Sequence, residues 1–270
     1  MPDCNYDCEN CKSKCDNPDP KSFLKPMIRK SNIKRVIGVV SGKGGVGKSL
    51  VTSMLACKCA KAGLKVGILD ADVTGPSIPK SFGITERATQ DGEFLLPSEK
   101  NGIKIMSINL LLEDENAPVV WRGPVISGVI EQFWSDVLWG DLDYLFVDMP
   151  PGTGDVALTV FQSLPINGIV VVSTPQDLVK MIVNKAVNMA NLMNVPVLGI
   201  IENMSYYTCS NCGEKIEIFG PSNIDETAKE LGLPVLAKLP IDPQINRLVD
   251  MGRVYEAPAD ELNDFVTALL

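Results

Sequence analysis

The segment that most constrains the fold is a glycine-rich stretch that directly follows a short apolar run, Val36–Val40. The stretch fits the pattern G-x-x-x-x-G-K-[ST] and reads Gly42-Lys43-Gly44-Gly45-Val46-Gly47-Lys48-Ser49. Glycines let backbone N–H groups turn inward around phosphates, and a helix that starts at Ser49 adds the positive end of its dipole. We expect Lys48 to reach the β- and γ-phosphate oxygens and Ser49 to ligate magnesium. The sequence therefore predicts a P-loop that binds ATP and Mg²⁺.

Short apolar runs alternate with longer helical stretches in the chain that follows. The predicted strands are Val36–Val40, Lys65–Leu69, Ile103–Ile108, Tyr144–Val147, Ile169–Val172, Val197–Ile201 and Val235–Leu239. Alternation of this kind, with strands that are continuously apolar, is typical of parallel sheets buried on both faces. We therefore predict an α/β fold, a P-loop NTPase with a mostly parallel sheet covered by helices on both faces.

Three helices are marked by residues that favour helix ends. They are Ser49–Ala62, which ends at Gly63, Pro124–Trp139, which is followed by Gly140, and Asn223–Leu231, which ends at Gly232. The polar stretch 85–102 contains glycine and proline and is expected to form turns or a hairpin at the sheet edge.

Composition excludes several classes of function. The 270 residues include no histidine, so Ser-His-Asp and Cys-His nucleophile systems and histidine-ligated zinc are ruled out. Net charge is -8: residues 1–35 hold 8 Lys/Arg against 5 Asp/Glu, which leaves 17 against 28 for the remainder. An acidic body of this kind is a poor nucleic-acid surface. We find no apolar run long enough for a membrane span and no signal peptide after Met1, and we expect a cytoplasmic protein without membrane or nucleic-acid partners.

Three carboxylates are placed to act at the phosphate site. Asp70, Asp72 and Asp148 follow apolar strands, and the carboxyl ends of parallel strands face the ligand in this kind of fold. Asp72 is the candidate to orient the attacking water, while Asp70 supports the magnesium shell and Asp148 holds magnesium through water. Ordinary turn acids remain an alternative for Asp70 and Asp72. Asp155 either caps a helix or has a catalytic role.

Residues 1–32 differ from the rest and are predicted to be a Cys-rich extension and linker before an ATPase domain at 33–270. Four of the 8 cysteines lie in the extension with spacing C-x3-C-x2-C-x3-C, namely Cys4, Cys8, Cys11 and Cys15. Four thiolates suffice for a complete tetrahedral metal site within one chain. Iron and zinc both remain open for this site.

The second lysine of the P-loop distinguishes this loop from the general pattern. Lys43 directly follows the first glycine, and this arrangement resembles the deviant Walker A family that includes MinD, ArsA and the nitrogenase iron protein. The resemblance implies a homodimer in which Lys43 reaches the phosphates bound by the partner. With Lys48 and Asp72, Lys43 is a candidate catalytic residue.

Five ordered motifs narrow the resemblance further. They are Asp70–Ser77, Trp121-Arg122-Gly123-Pro124, Asp148–Asp155, Ser173-Thr174-Pro175-Gln176 and Glu202-Asn203-Met204-Ser205. Together they resemble the Mrp/ApbC family of iron-sulfur cluster carrier ATPases, over about Ile33 to Leu270. By this similarity 70–77 is the first switch and 148–155 the glycine switch. Asn203, interpreted as following a buried strand, contacts adenine, as does the turn with Pro240 and Asp242 near the last helix.

A pair of cysteines in a loop-like stretch is the candidate cluster site. Cys209 and Cys212 form a C-x-x-C, which is half of a four-thiolate site, and a two-fold dimer supplies four sulfurs for one 4Fe-4S cluster. The family resemblance assigns that role to these cysteines. A structural zinc site and a thioredoxin-like dithiol are the alternatives. Cys57 and Cys59 are interpreted as core or boundary residues of the first helix.

The resemblance implies an ATP-hydrolysing carrier that receives a 4Fe-4S cluster from a donor and passes it to apo iron-sulfur proteins. A positioning ATPase like MinD or ParA, with structural zinc in the C-x-x-C, is the alternative. Such proteins use a basic amphipathic tail or patch, whereas this sequence ends in an acidic stretch, 260–264, before its last apolar residues. An electron-donating reductase is a third possibility, but its cysteines would come from two separated loops.

Overall fold

A mostly parallel sheet forms the centre of the protein. The computed structural model describes residues 24–28, 30–72, 77–112, 123–152, 154–175 and 179–269. The strands are β1 (Asn32–Val40), β2 (Val66–Asp70), β3 (Thr89–Asp91), β4 (Phe94–Leu96), β5 (Ser98–Lys100), β6 (Ile103–Ser107), β7 (Asp141–Asp148), β8 (Gly168–Ser173), β9 (Val197–Thr208), β10 (Lys215–Ile216) and β11 (Val235–Pro240).

In the described part of the chain, nine of these strands make one sheet in the order β10-β9-β8-β1-β7-β2-β6-β5, with β11 also paired to β9. The two end strands, β10 and β5, are antiparallel to their neighbours, and the strands between them are parallel. This confirms the predicted α/β class.

Helices cover both faces of the sheet. They are α1 (Lys48–Lys61), α2 (Ile78–Ser81), α3 (Gly123–Ser135), α4 (Asp155–Ser163), α5 (Val179–Leu192), α6 (Ile224–Leu231), α7 (Pro243–Asp250) and α8 (Asn263–Leu269). One core packs α1, α2, α7 and α8 against the sheet, and the other packs α3 to α6. Side chains alternate across a strand, so the neighbours Ile200 and Ile201 of β9 enter different cores. The strands are therefore apolar throughout, as the sequence indicated.

One predicted helix is longer than the observed one. The prediction ran to Trp139, but α3 ends at Ser135. The residues after Ser135 pair with Leu95 of β4 instead of continuing the helix. The Leu95 N–H donates to the Asp136 carbonyl, and the Leu95 carbonyl accepts from the Leu138 N–H. Pairing with a strand distant in sequence thus replaced the last helical turn. The expectation of a hairpin within 85–102 is confirmed by β3 and β4.

The interpretation of Asn203 as a residue that follows a strand is wrong. Strand β9 continues to Thr208, because β11 and β10 pair with its second half. The register shifts between Lys238 and Pro240 of β11, and Met204 adopts the left-handed conformation with φ 57°. Residues 203–205 therefore form a bulge inside a long strand, and bulges of this kind re-aim side chains near functional sites.

Several predicted features lie outside the described residues. These are the N-terminal cysteines Cys4, Cys8, Cys11 and Cys15, the switch residues 73–76 and Thr153, the pair Trp121 and Arg122, and Gln176. The side chain of Asp155 is likewise outside the description. Their roles stay predictions. Of the helices in the described ranges, none has the length and apolar character that a membrane crossing requires.

Close packing beneath β2 gives a stability prediction. A Cβ at Gly67 would lie 2.7 Å from Leu142 Cδ1 and 2.9 Å from Leu145 Cδ1, whereas one at Gly128 of α3 would meet nothing within 4 Å. We expect Gly67→Ala to lower the free energy of unfolding by about 1–3 kcal/mol through overpacking. Gly128→Ala should raise it by up to about 1 kcal/mol, because alanine favours the helix. Urea denaturation of both variants measures this, and equal effects would contradict the packing argument.

Candidate functional site

The phosphate loop and two of the predicted acids meet at the carboxyl edge of the sheet. Strand β7 lies between β1 and β2, with Val39 opposite Asp148 on one side and Asp70 opposite Asp148 on the other. The loop that leaves β1 therefore passes directly beside both carboxylates. This is the edge at which ligands bind in open parallel sheets.

The backbone of the glycine-rich segment takes the conformation a phosphate cradle needs. Gly45 has φ 78° and Gly47 has φ 80°, a region that residues with a Cβ rarely adopt. A Cβ added at Gly44 or Gly45 would meet nothing within 4 Å. Helix α1 begins at Lys48, immediately after Gly47. Gly44 and Gly45 are thus exposed, next to a helix N-terminus suited to phosphate.

Lys48 is a buried cation whose hydrogen-bonding capacity is unused. Its side chain is 5% exposed, and its Nζ lies 2.7 Å from Asp148 Oδ1 and 3.6 Å from Asp72 Oδ2. These are ion pairs by distance, yet Nζ makes no contact of hydrogen-bond geometry with the described residues. An ammonium has three donors, and leaving them unused in a buried place is unfavourable. A phosphate group at this position fits both its charge and its free donors.

Asp148 holds the start of α1 against the sheet. Ser49 Oγ donates to Asp148 Oδ2 at 2.5 Å, and Thr52 Oγ1 donates to Oδ1 at 2.8 Å. Asp148 is fully buried, so these hydroxyls and Lys48 compensate for its lost hydration. Hydroxyl and carboxylate oxygens are the ligands Mg²⁺ prefers, and the contact of Ser49 with Asp148 fits the predicted magnesium site.

Asp70 is buried beside Asp148. It accepts hydrogen bonds from Ser107 Oγ at 3.0 Å and from the Asp72 N–H at 3.2 Å. Burial raises the pKa of Asp70 well above its usual value, and the negative charge of Asp148 raises it further. Burial and the charge of Asp148 therefore both disfavour the ionised form of Asp70, and a nearby divalent cation would act in the opposite direction.

Asn203 braces the phosphate loop from outside the cradle. Its Nδ2 donates to the Val46 carbonyl at 2.9 Å and lies 2.2 Å from where a Cβ of Gly47 would be. Only glycine therefore fits at position 47. The predicted adenine contacts of Asn203, Pro240 and Asp242 stay predictions. Pro240 ends β11, and Asp242 caps α7 by accepting the Gln244 N–H at 2.8 Å.

The C-x-x-C forms a tight turn at the end of β9. The Cys209 N–H donates to the Glu214 carbonyl and the Gly213 N–H to the Cys209 carbonyl, both at 2.9 Å. Hydrogen bonds from the N–H groups of Asn211 and Cys212 to the sulfur lower the pKa of Cys209. This favours the thiolate, which is the metal-binding form. Within the described ranges no three potential metal-ligating acids or cysteines cluster, so this turn offers only two ligands.

The two remaining described cysteines behave as core residues. Cys57 and Cys59 are buried in α1, and burial raises the pKa of each thiol to about 12. Both side chains lie in the core that packs α1 against the sheet, which confirms their interpretation as core residues.

Comparison with known proteins places the chain in a family. Residues 32–269 match the family described as ParA, the NUBPL iron-transfer P-loop NTPases. The chain belongs to this family.

Individual relatives and solved structures match this chain over most of its length. An iron-sulfur cluster carrier protein of Clostridium perfringens is 50% identical over 238 residues, covering 85% of this chain and 84% of the relative. Another from Methanocaldococcus jannaschii is 46% identical over 260 residues, covering 93% and 90%. A nucleotide-binding protein of Archaeoglobus fulgidus, solved with ADP, is 44% identical with a TM-score of 0.79 over 92% of this chain and 96% of its own. MinD of Aquifex aeolicus, at 20% identity, covers 87% and 96% with a TM-score of 0.62 and shares the fold.

The structure of this iron-transfer NTPase adds three polar residues whose roles the sequence did not reveal. Thr52 binds Asp148, Ser107 binds Asp70, and Glu202 is a fully buried carboxylate that accepts from the hydroxyls of Ser205 and Ser222. Thr52 lies one helical turn after Lys48 and therefore on the same face of α1, so this spacing could have predicted that Thr52 contacts the same carboxylate as Lys48. Ser107 and Ser222 are distant in sequence from their partners, and no local signal pointed to them.

We expect Asn203→Ala to weaken nucleotide binding by about tenfold, because the Val46 carbonyl loses its donor and the loop loses its support. Calorimetric titration with Mg²⁺-ATP and with inorganic triphosphate measures the effect. If Asn203 acts as a brace, both ligands lose affinity. If it acts solely on adenine, triphosphate binding stays unchanged. Asn191→Ala, on an exposed position of α5, is the matched control.

Acid titration of Asp70 gives a pH prediction. Because the pKa of Asp70 is raised on folding, the folded protein binds this proton more tightly, and stability falls as pH rises above about 4, the unfolded value. Asp70→Asn keeps partners for Ser107 and the Asp72 N–H and removes this dependence. In urea denaturation with EDTA and no nucleotide, we expect the variant to gain stability over wild type as the pH rises from about 4 toward the raised pKa of Asp70. Parallel pH profiles would contradict the assignment.

Proposed function

We propose that this protein is an ATP-dependent iron-sulfur cluster carrier, which holds a 4Fe-4S cluster between two copies of the chain and transfers it to apo-proteins. The observation that carries the proposal is the course of β9. This one strand braces the phosphate loop through Asn203 and ends at the C-x-x-C turn. Relatives that are 50% and 46% identical are named iron-sulfur cluster carrier proteins, and these names support an iron-sulfur cluster as the cargo.

The nucleotide half of the function uses the residues at the carboxyl edge. The P-loop amides and Lys48 bind the β- and γ-phosphates, while Ser49, Asp148 and the more distant Asp70 provide oxygens for Mg²⁺. Magnesium supplies charge neutralisation for phosphoryl transfer. In our proposal Asp72, 3.6 Å from Lys48 Nζ, orients the attacking water. Lys43 of each copy reaches the phosphates of the other, so hydrolysis requires the dimer.

The cargo half uses Cys209 and Cys212. Their turn presents two thiolates, and a 4Fe-4S cluster takes four. A two-fold dimer brings the same turn from each copy to one axis and completes the set. The hydrogen bonds that lower the pKa of Cys209 favour the thiolate and also neutralise part of the negative charge of the bound cluster.

In our proposal β9 couples the nucleotide state to cluster binding, because this strand joins the phosphate loop to the C-x-x-C. Asn203 lies in the bulge of β9, and Cys209 directly follows Thr208, the last residue of that strand. A change in the phosphate loop that displaces Asn203 is transmitted along β9 to the thiolates. We propose that nucleotide state thereby sets how tightly the two copies hold the cluster, which a donor loads and apo iron-sulfur proteins receive.

Anaerobic reconstitution tests the cargo site. The background is the full chain with Cys4, Cys8, Cys11 and Cys15 replaced by alanine, so that only the C-x-x-C remains as a clustered site. We expect about four irons and four sulfides per dimer. Adding Cys209→Ala should remove both while ATP binding persists, and Lys48→Ala should abolish ATP binding. Cys57→Ala is the matched cysteine control and should keep the cluster.

Metal analysis gives the opposing outcome. One zinc per dimer with no sulfide would make the C-x-x-C a structural site and favour the positioning-ATPase alternative. Full iron and sulfide in the Cys209→Ala variant would show that the cluster lies elsewhere.

A further inference from the structure

We propose that an exposed apolar surface beside the C-x-x-C contacts a second copy of this chain and encloses the cluster. The surface consists of Ile216, Ile218 and Phe219, whose exposed fractions are 45%, 55% and 46%. We call it the apolar rim. The inference rests on the proposed carrier function and identifies the surface that completes its cargo site.

The apolar rim belongs to the same hairpin as the thiolates. Ile216 of β10 pairs with Tyr207 of β9, two residues before Cys209. Ile218 and Phe219 follow in the turn after β10. Three large apolar side chains within four positions are thus displayed next to the cluster ligands, and apolar clusters of this kind on a protein surface mark interaction sites.

The backbone holds the apolar rim outward. The Gly220 N–H donates to the Glu217 carbonyl at 3.0 Å, and Gly220 has φ 84°, which closes a turn around Ile218 and Phe219. Just beyond it, the Ser222 hydroxyl donates to the buried carboxylate of Glu202, and the Ile224 N–H donates to Ser222 Oγ at 3.1 Å. The bond between Ser222 and Glu202 anchors the segment to β9, and the turn closed at Gly220 presents the apolar rim with about half of its side-chain surface exposed, which makes the rim a preorganised surface.

The ligand count identifies the occupant as a second copy. The turn supplies two thiolates, and no third clustered ligand is present in the described part of the chain. On the background that lacks the four N-terminal cysteines, a cluster with four thiolate positions needs a partner that brings two more at the same place. A second copy does so by symmetry, and its own apolar rim then faces this one across the axis.

The acidic net charge of the chain favours an apolar contact between copies at the hairpin that carries the C-x-x-C. Each copy carries a net charge of -8, so two copies repel each other over most of their surfaces. Between positions 209 and 219 the charges are Lys215 against Glu214 and Glu217, which leaves only one net negative charge. The hairpin is thus a nearly neutral face on an acidic body, and burial of its apolar side chains offsets the remaining repulsion.

The size of the apolar rim sets how the dimer depends on the cluster. Stable interfaces bury roughly 800 Å² per partner, far more than three half-exposed side chains provide. The apolar rim is therefore too small to hold two copies together without the cluster, and the thiolate–iron bonds supply the remaining stabilisation of the dimer. Two rims around the cluster also exclude water and chelators from the iron and sulfide, so removing them should speed cluster loss.

The test compares two double variants on the background that lacks the four N-terminal cysteines. Ile218→Ser with Phe219→Ser removes apolar surface, and Ile218→Met with Phe219→Leu retains it. Leu192→Ser is the control, since Leu192 is an apolar side chain that is 79% exposed at the end of α5. It precedes the amino end of β9, whereas the C-x-x-C follows the carboxyl end of that strand. Sedimentation of the cluster-loaded proteins, the rate of iron loss to a chelator, and ATP affinity are measured.

We expect the serine variant to dissociate about 10- to 30-fold more readily when loaded and to lose iron faster, with ATP affinity and thermal unfolding unchanged. The Met/Leu variant and Leu192→Ser should behave as the background protein. A serine variant that keeps the dimer and cluster overturns the inference while leaving the carrier function intact. The inference is equally overturned if only transfer to an apo-ferredoxin slows, since the rim would then face the acceptor. A background protein that binds no cluster refutes the proposed function itself.

Discussion

Asp148 ends the central strand β7 and receives three groups from the first residues of α1: the hydroxyls of Ser49 and Thr52 and the ammonium of Lys48. A fully buried carboxylate is tolerated only with such compensation, and removal of one partner leaves an uncompensated charge. These bonds therefore fix where α1 starts relative to the sheet. The phosphate loop, which joins β1 to α1, has little freedom once both ends are held. The ammonium of Lys48, which makes no hydrogen bond with the described residues, is then available to an anionic ligand.

The second organising element is β9. Its side chains alternate between faces, so Asn203 reaches the phosphate loop while its neighbour Glu202 turns to the side of α6 and accepts from Ser222. The same strand then continues beyond the bulge at Met204 to Thr208, directly before Cys209. One strand thus contacts the phosphate loop, anchors the segment after β10, and leads directly into the first cysteine of the C-x-x-C. In the proposed carrier, this continuity is the route by which a change at the phosphate loop reaches the C-x-x-C.

The two sites differ in how complete they are within one chain. The phosphate site has its cation, its hydroxyls and its acids in place, and the same fold serves MinD, which shows that the fold alone does not decide the function. The cysteine turn has two ligands and a preorganised apolar surface beside it. In the proposed dimer such a site suits a cargo that is released, because half of its ligands would separate when the two copies part.

The sequence by itself determined the P-loop, the parallel sheet, the strand-end acids and the C-x-x-C, because glycine spacing and continuous apolar runs are local signals that a chain displays residue by residue. It did not determine the end of α3, where Leu95 took over the backbone groups of Asp136 and Leu138. Nor did it show that Asn203 lies within β9, or that Thr52, Ser107 and Ser222 serve buried carboxylates. Those features depend on hydrogen bonds between residues far apart in the chain. Only the tertiary structure decides them, since a buried polar group takes whichever partner the packed sheet brings within reach.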